Sequence, residues 1–239
     1  MIYFFIALVA CIIGSFVGVG GGIIMVPLLM SLGIEKSTVA LNSAVTVFIM
    51  AIFSTIIYIR RKQGNVKTAI LFGIGTIPGA IIGVHINKLV SSNIFNIIFA
   101  VLMTILIIIM FLKNRLPKIK LHDVTKPFIG LLIGIVSGLF GIGGGPITVP
   151  CLLILYGESQ KDSAATAIYL TLIATANATI GYIAHGNRDL SLAIYMIPAA
   201  IIGSFLGTYF NKKVSEKLCN ILFNIVLISI IIKQLITIF

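Results

Sequence analysis

The sequence predicts an all-α polytopic membrane protein made of two homologous inverted repeats, each a glycine-broken helical hairpin followed by three transmembrane helices. Three observations predict this fold class. The 239 residues are 59% hydrophobic and only 10% charged, with a mean hydropathy of +1.18. Apolar runs long enough to cross a bilayer recur along the chain. The second half then repeats the motifs of the first half in the same order.

The apolar runs supply six predicted membrane spans. A hydrocarbon core about 30 Å thick requires roughly 20 apolar residues in a helix. Such runs occur at 41–59, 69–86, 94–112, 164–184, 192–210 and 218–232. A soluble protein of this length could not bury so much apolar surface. The chain is therefore expected in the cell membrane (plasma or inner) as a multi-pass protein.

The first apolar segment, residues 2–32, is too long for one straight span, because at 1.5 Å per residue it would cover about 46 Å. It contains "GVGGG" at 18–22. Glycine costs about 1 kcal/mol relative to alanine inside a helix, so the motif predicts a break between two shorter helices. These helices could stack as one kinked span or fold back as a hairpin.

The second half of the chain is a copy of the first. Matching segments are 18–29 with 141–152 (eight of twelve identical), 77–83 with 197–203 (six of seven) and 87–99 with 211–223 (seven of thirteen). The predicted organisation is a first transmembrane repeat at 1–112, a cytoplasmic linker at 113–126 and a second transmembrane repeat at 127–239.

Positive charge indicates how the two repeats are oriented. If each glycine-broken segment folds back, thirteen Lys and Arg residues share one side, in the loops 60–67, 113–126, 157–163 and 211–217, and four lie opposite. If each segment crosses once as a kinked span, the split is ten to six. Positive residues concentrate in cytoplasmic loops, which favours the folded-back arrangement. The second repeat is then upside down relative to the first, with both termini outside.

The glycine breaks form the predicted substrate site. A helix that begins inside the protein presents unpaired N–H groups and a partial positive charge, which bind anions without a charged side chain. Proline suits the first turn of a helix. The predicted binding residues of the two breaks are Gly20, Gly21, Gly22, Gly143, Gly144, Gly145 and Pro146. The alternative is that the glycines only permit close helix packing.

Polar side chains within the spans add further candidates for substrate binding. Asn42 and Ser43 lie near the start of one span, and Thr166 and Asn177 lie in the corresponding span of the second repeat. The offset of the glycine motifs aligns Thr166 with Ser43. Asparagine is costly to bury in a membrane and is therefore a candidate for ligand binding. A lone Ser or Thr more often bonds to its own helix, and this alternative stays open.

Other classes of function find little support in the sequence. The net charge of +11 lies in short loops between spans, a pattern typical of membrane topology and not of nucleic-acid binding. Cys11, Cys151 and Cys219 fall in apolar segments without metal-ligand spacing. No carboxylate lies in the middle of a predicted span. The sequence therefore predicts no enzyme, no cofactor and no metal site.

The paired motifs "GVGGGIIMVPLL" and "GIGGGPITVPCL", with "IPGAIIG" and "IPAAIIG" downstream, resemble the sulfite exporter TauE/SafE family of membrane transporters over nearly the whole chain. The resemblance implies export or uptake of sulfur-containing anions such as sulfite, thiosulfate or organosulfonates. The family motif falls on Gly18, Gly20, Gly21, Gly22 and Pro27, and on Gly141, Gly143, Gly144, Gly145 and Pro150. Ile23 stands where the second repeat has Pro146, so the two half-sites need not bind equally.

The residues and the resemblance together predict a secondary transporter that moves a small sulfur-containing anion across the membrane by alternating access. An anion channel would need an open polar path, and these spans carry few polar side chains. A non-transporting membrane scaffold would leave the repeated helix breaks without a purpose. The expected partners are the small anion and the lipid bilayer, with no nucleic acid. Which anion, the direction of transport, the coupling ion and the oligomeric state stay open.

The charge distribution generates a prediction about topology. The variants Lys62→Cys and Lys118→Cys should react in intact cells with a membrane-permeable maleimide and not with an impermeable one, because both loops are expected in the cytoplasm. The control is Arg188→Cys, expected outside and therefore open to both reagents. Reaction of positions 62 and 118 with the impermeable reagent would contradict the inverted arrangement.

Overall fold

The computed structural model describes residues 1–112, 121–219, 221–225 and 228–229, and over these residues the chain is a bundle of α-helices without strands. The helices with defined bounds are α1 (Ile2–Val17), α2 (Gly22–Met30), α3 (Lys36–Arg60), α4 (Val66–Leu89), α5 (Ser92–Leu112), α6 (Lys126–Phe140), α7 (Gly145–Leu155), α8 (Gln160–Ala184) and α9 (Ala193–Lys213), and the described residues after 215 are also helical. A short 3₁₀ turn, Asp123–Thr125, precedes α6. The predicted all-α fold class is confirmed.

Within the described residues, six segments are long and apolar enough to cross a membrane: α3, α4, α5, α8, α9, and α6 with its preceding turn. The first five overlap the spans predicted at 41–59, 69–86, 94–112, 164–184 and 192–210. The span predicted at 218–232 lies partly outside the described residues, as do residues 113–120 of the predicted linker. The chain is therefore a polytopic helical membrane protein.

Both glycine motifs interrupt the helix. The helices α1 and α6 end immediately before Gly18 and Gly141, and the next helices begin at Gly22 and Gly145. Gly18 and Gly141 have φ angles of +87° and +68°, in the left-handed region that glycine adopts without steric cost. With nine and eleven residues, α2 and α7 extend only about 14 and 17 Å, too short to cross the bilayer alone.

The chain turns back along the preceding helix at each break. A β-carbon on Gly21 would lie 3.1 Å from the carbonyl oxygen of Ala10, so the start of α2 lies beside the middle of α1. In the second repeat, a β-carbon on Gly144 would lie 2.3 Å from Cγ2 of Ile133. In a continuous helix, residues eleven positions apart would be separated by about 16 Å. The contacts therefore fit a hairpin better than a kinked single span.

Helices from different repeats pack almost backbone to backbone. The pair α4 and α6 meets through Gly75, Gly79 and Gly83 on α4 and Gly130, Gly134 and Gly138 on α6. A β-carbon on Gly79 would lie 2.3 Å from the carbonyl oxygen of Leu131. The pair α1 and α9 is equally close, because a β-carbon on Gly207 would lie 2.0 Å from Oγ of Ser15. Small residues four positions apart permit this approach in membranes.

Reciprocal hydrogen bonds join the two repeats. Asn211 of α9 donates through Nδ2 to the carbonyl of Phe16, and Asn87 of α4 donates through Nδ2 to the carbonyl of Leu139, both over 2.7 Å. The asparagines are 124 positions apart and their acceptors 123, which is the offset of the sequence repeat. Two buried bonds of 2.6 Å, each within one repeat, obey the same offset: Tyr58 Oη to the Ser15 carbonyl, and Tyr182 Oη to the Gly138 carbonyl.

The contact between α4 and α6 predicts a position-dependent cost for added side chains. Gly79→Ala should destabilise the protein by about 1–3 kcal/mol, because the new methyl group would meet rigid backbone. Gly73→Ala is the control on the same helix, since its β-carbon would meet only the Ile173 side chain, with Cδ1 at 2.8 Å. Thermal unfolding of the purified variants in detergent measures the difference. Equal melting temperatures would show that the backbone contact is unimportant.

Candidate functional site

The two glycine loops, defined as residues 18–22 and 141–145, lie in direct contact and are buried throughout. A β-carbon on Gly22 would lie 2.5 Å from Cα of Ile142, and one on Gly145 would lie 2.5 Å from the carbonyl carbon of Val19. These contacts are related by the repeat offset of 123 residues. The starts of α2 and α7 therefore meet inside the protein, and only glycine fits at the points of contact.

The glycine loops leave a series of backbone N–H groups unpaired. The first N–H groups to bond in α2 are those of Ile24 and Met25, which both donate to the Gly21 carbonyl over 3.2 and 3.1 Å. In α7, the corresponding acceptor is the Gly144 carbonyl. The N–H groups of 19–23 and 142–145 have no acceptor among the described residues. A buried unpaired donor costs about 1–3 kcal/mol, so these N–H groups are available to donate hydrogen bonds to a bound acceptor.

Unpaired hydroxyl groups also lie at the glycine loops. Ser43 and Thr171 are fully buried, and neither hydroxyl has a hydrogen-bond partner among the described residues. The Oγ atom of Ser43 would be 2.9 Å from a β-carbon on Gly22, and Oγ1 of Thr171 would be 3.4 Å from one on Gly143. Thr171 also faces the other loop, since its Cγ2 would be 3.5 Å from a β-carbon on Gly20. Both hydroxyls therefore supplement the unpaired N–H groups.

The predicted pairing of Thr166 with Ser43 is wrong. The helices α3 and α8 both have 25 residues and begin at Lys36 and Gln160, so their offset is 124 and not the 123 of the glycine motifs. One additional residue between the glycine loop and the next helix causes this shift. Thr166 is therefore the repeat equivalent of Asn42.

Asn42 lies in the same helix as Ser43, but its amide serves another part of the protein. Its Nδ2 donates to the carbonyls of Thr38 and Asp189 over 2.8 and 2.7 Å, and its Oδ1 accepts the N–H of Ala193 over 2.7 Å. These bonds fix the loop that leads into α9. The structure does not bring this amide to the glycine loops.

The other two predicted polar residues also bond away from the glycine loops. Thr166 accepts the N–H of Asn65 over 2.9 Å and donates to Oε2 of Glu158 over 3.4 Å. It thus fixes the loop that leads into α4, as Asn42 does for α9. Asn177 is half-buried, and its Nδ2 donates to the Ile173 carbonyl of its own helix over 2.7 Å.

The predicted glycines have different surroundings. Gly20, Gly22, Gly143 and Gly145 face the opposite glycine loop or the hydroxyl-bearing helices, whereas Gly21 and Gly144 face α1 and α6. Pro146 is buried in the first turn of α7. The sequence did not distinguish Thr171 from the other threonines of α8. Its distinguishing feature, an unpaired hydroxyl beside the glycine loops, is visible only in three dimensions.

One end of the bundle, here called the sealed end, is closed by the loop 61–65 between α3 and α4. Gln63 donates through Nε2 to Oδ1 of Asn211 and to the carbonyl of Lys161, both over 3.1 Å. Its own carbonyl accepts the Tyr169 hydroxyl over 2.5 Å. Further bonds join Arg61 to Thr208, Gly64 to Asp162 and Asn65 to Thr166. All of these partners belong to the second repeat.

The repeat-equivalent end of the bundle has different contacts. The loop 185–189 after α8 borders a cleft of about 550 Å³, whose lining includes Lys36, Asn87, Tyr182 and Arg188. Asn187 also lines this cleft and is the repeat equivalent of Gln63. Its Nδ2 is buried but has no hydrogen-bond partner among the described residues. The Gln63 Nε2 bonds at the sealed end therefore have no counterpart at the Nδ2 of Asn187.

Carboxylates near the two ends differ in their proton affinity. Burial raises the pKa of the Glu158 carboxyl at the sealed end, and the hydrogen bond from Thr166 partly opposes this effect. Hydrogen bonds from Ser191 lower the pKa of Asp189 beside the cleft. Asp189 is therefore ionised at neutral pH and contributes a negative charge to the rim of the cleft.

Comparison with known proteins identifies related sequences. The family model described as "Sulfite exporter TauE/SafE" matches residues 3–234. A probable membrane transporter protein of Bacillus subtilis, YunE, is 30% identical, over 94% of this chain and 93% of its own length. A probable membrane transporter protein of Methanocaldococcus jannaschii is 32% identical, over 90% of this chain and 88% of its own length. An Arabidopsis thaliana protein named for the TauE/SafE family is 31% identical over 40% of this chain and 21% of its own length.

The bonding of the two asparagines predicts unequal effects on stability. Asn42→Ala should cost about 1–3 kcal/mol, because it leaves the buried N–H of Ala193 unpaired. Asn177→Ala is the matched control and should cost less than about 1 kcal/mol, since it loses only a bond within its own helix. Thermal unfolding of the purified proteins measures both. A smaller effect at position 42 than at 177 would contradict this account of Asn42.

Proposed function

This chain belongs to the sulfite exporter TauE/SafE family of membrane transporters, and we propose that it carries a small sulfur-containing anion, such as sulfite, thiosulfate or an organosulfonate, across the cell membrane by alternating access. The observation that carries the proposal is the meeting of two helix N-termini whose N–H groups are buried and unpaired. Helix N-termini bind oxyanions through such groups and through the helix dipole.

The chemistry of the glycine loops suits an anion and not a cation. N–H groups and hydroxyls that already lack partners donate hydrogen bonds readily to sulfonyl or sulfite oxygens. All six acidic residues of the chain lie in other segments, at Glu35, Asp123, Glu158, Asp162, Asp189 and Glu216. The site proposed therefore consists of the backbone of the two loops with the Ser43 and Thr171 hydroxyls.

Alternating access requires two gates that close in turn. The repeat relates the loop 61–65 to the loop 185–189. The first is bonded to the second repeat through the Gln63 amide, whereas the second is bonded to the first repeat through the Asp189 carbonyl and borders a cleft. An inverted repeat produces such a pair naturally, because exchanging the conformations of its halves would exchange the open and the closed end. The reciprocal bonds of Asn87 and Asn211 support this relation.

A channel is the second candidate, and the sealed end argues against it. Conduction requires a continuous polar path, whereas the loop 61–65 closes one end through bonds of Gln63, Gly64 and Asn65. A membrane scaffold would gain nothing from two buried sets of unpaired N–H groups, since each set costs stability. The charge distribution places the sealed end in the cytoplasm in this proposal.

The proposed site predicts a loss of affinity when the hydroxyls are removed. Thr171→Val and Ser43→Ala should each raise the KM for sulfite at least about tenfold, because a hydrogen bond to a charged group contributes roughly 1.5–3 kcal/mol. The fold should tolerate both variants, since Val47 and Ala167 occupy the equivalent positions of the other repeat. The measurement is uptake of labelled sulfite into proteoliposomes.

The control for these variants is Thr175→Val. The Thr175 hydroxyl donates to the Thr171 carbonyl of its own helix over 2.7 Å, so the KM should stay unchanged when it is removed. If the KM of Thr171→Val and Ser43→Ala equals that of the unaltered protein, the hydroxyls do not bind the substrate. If sulfite, thiosulfate and organosulfonates are not transported at all, the proposed class of substrate is wrong.

A further inference from the structure

Lys36 is a buried cation at the cleft. It is the first residue of α3, only 9% of its surface is exposed, and it lines the cleft. Its Nζ donates to the carbonyl of Asn87, near the end of α4. An ammonium group has three N–H donors, and this carbonyl satisfies one of them. Among the described residues the single ion pair joins Lys126 and Asp123, so Lys36 has no carboxylate partner.

Burial disfavours the charge of Lys36, and the neighbouring Glu35 carboxylate interacts with it only from beyond ion-pair distance, so the surroundings of Lys36 indicate what else compensates this charge. The neighbouring side chains are also donors. Asn187 lines the cleft and has a buried Nδ2 without a partner among the described residues, and the exposed side chains of Lys88 and Arg188 belong to the same lining. Four side chains with N–H donors therefore line one cleft, and three of them are positively charged.

Two carboxylates line the same cleft, but each is engaged locally. Oε1 of Glu35 accepts the Ser37 hydroxyl over 2.8 Å. Oδ1 of Asp189 accepts the N–H of Ser191 over 3.1 Å. Neither lies within 4 Å of a described cationic nitrogen. The cleft keeps a net positive charge, with three cations against two carboxylates.

The sealed end lacks this cationic group. The repeat equivalent of Lys36 is Gln160, the first residue of α8, which is also buried. The equivalent of Asn187 is Gln63, whose amide is occupied by Asn211 and Lys161. The charge of Lys36 is therefore not required for the helix to begin at this position of the repeat.

We propose that the cleft is a second anion site, in which an oxyanion docks on Lys36, Asn187 and Arg188 before it reaches the glycine loops. The inference rests on the proposed function and adds a docking step to it. The volume of about 550 Å³ exceeds that of a single sulfite ion, so an organosulfonate with a short carbon chain also fits. The ligand class is a small sulfite or sulfonate anion.

The test is Lys36→Gln, which removes the charge but retains a donor for the Asn87 carbonyl. It also copies the residue that α8 carries at the equivalent position. Isothermal titration of the purified protein with sodium sulfite should give a Kd at least about tenfold higher than that of the unaltered protein. The affinity of the unaltered protein should fall as NaCl rises, and that of Lys36→Gln should fall less, because salt screens charge.

If Lys36→Gln impairs folding because position 36 is buried, the variant Arg188→Gln in the exposed loop tests the same site. It should raise the Kd for sulfite several-fold. Lys88→Gln and Lys212→Gln form a matched pair at equivalent positions of the two repeats. Lys88→Gln should weaken sulfite binding, and Lys212→Gln should leave it unchanged. Unaltered Kd values in both Lys36→Gln and Arg188→Gln would overturn the cleft site.

Measuring both sulfite binding and sulfite transport distinguishes the cleft site from the proposed transport function. If sulfite is bound in a Lys36-dependent manner but is not transported, the proposed function fails and the cleft site stands. If sulfite is transported and Lys36→Gln leaves both Kd and KM unchanged, the cleft site fails and the transport function stands. If sulfite is neither bound nor transported, both are overturned.

Discussion

The pairing of backbone N–H groups in an apolar interior is the constraint on which this structure depends. A helix satisfies that constraint except for the N–H groups of its first turn, and at 18–22 and 141–145 the chain interrupts its helices where both breaks are buried. Unpaired groups cannot be left facing lipid. The two breaks therefore face each other, enclosed by α3 and α8. The remaining helices must pack tightly enough to keep this region away from the hydrocarbon chains.

Close packing between the repeats meets this requirement. The glycines of α4 and α6 allow these helices to approach until carbonyl oxygens occupy the space of a β-carbon. Asn87 and Asn211 then tie each of the pairs α4–α6 and α1–α9 through a buried bond to a helix-end carbonyl. These helix pairs have the closest helix packing among the described residues. The loops 61–65 and 185–189, which differ in their bonding, lie at the ends of the bundle.

The sequence predicted the spans and breaks because both depend on local composition, such as 18–22 within an apolar segment. It did not predict the bonds of Asn42, whose partners lie about 150 positions away in sequence. It did not single out Thr171 from the other threonines of α8, because back-bonding to the helix is a conformational property. The sequence aligned Thr166 with Ser43 and not with Asn42, because the second repeat has one more residue than the first between the glycine loop and the next helix. The sealed end depends on bonds of Gln63 to Lys161 and Asn211, which are distant in sequence, and a local residue pattern does not predict such bonds.

The hydroxyls of Ser43 and Thr171 have an evolutionary consequence. Their equivalents in the other repeat are Ala167 and Val47, so each hydroxyl is opposed by a methyl group across the pseudo-symmetry. In a homodimer of identical halves, every substitution would appear twice, and the region around the two glycine loops would remain symmetric. Gene fusion removes this restriction, because each copy then mutates independently. An asymmetric anion such as a sulfonate, with three oxygens at one end and carbon at the other, can be held in a single orientation only after such divergence.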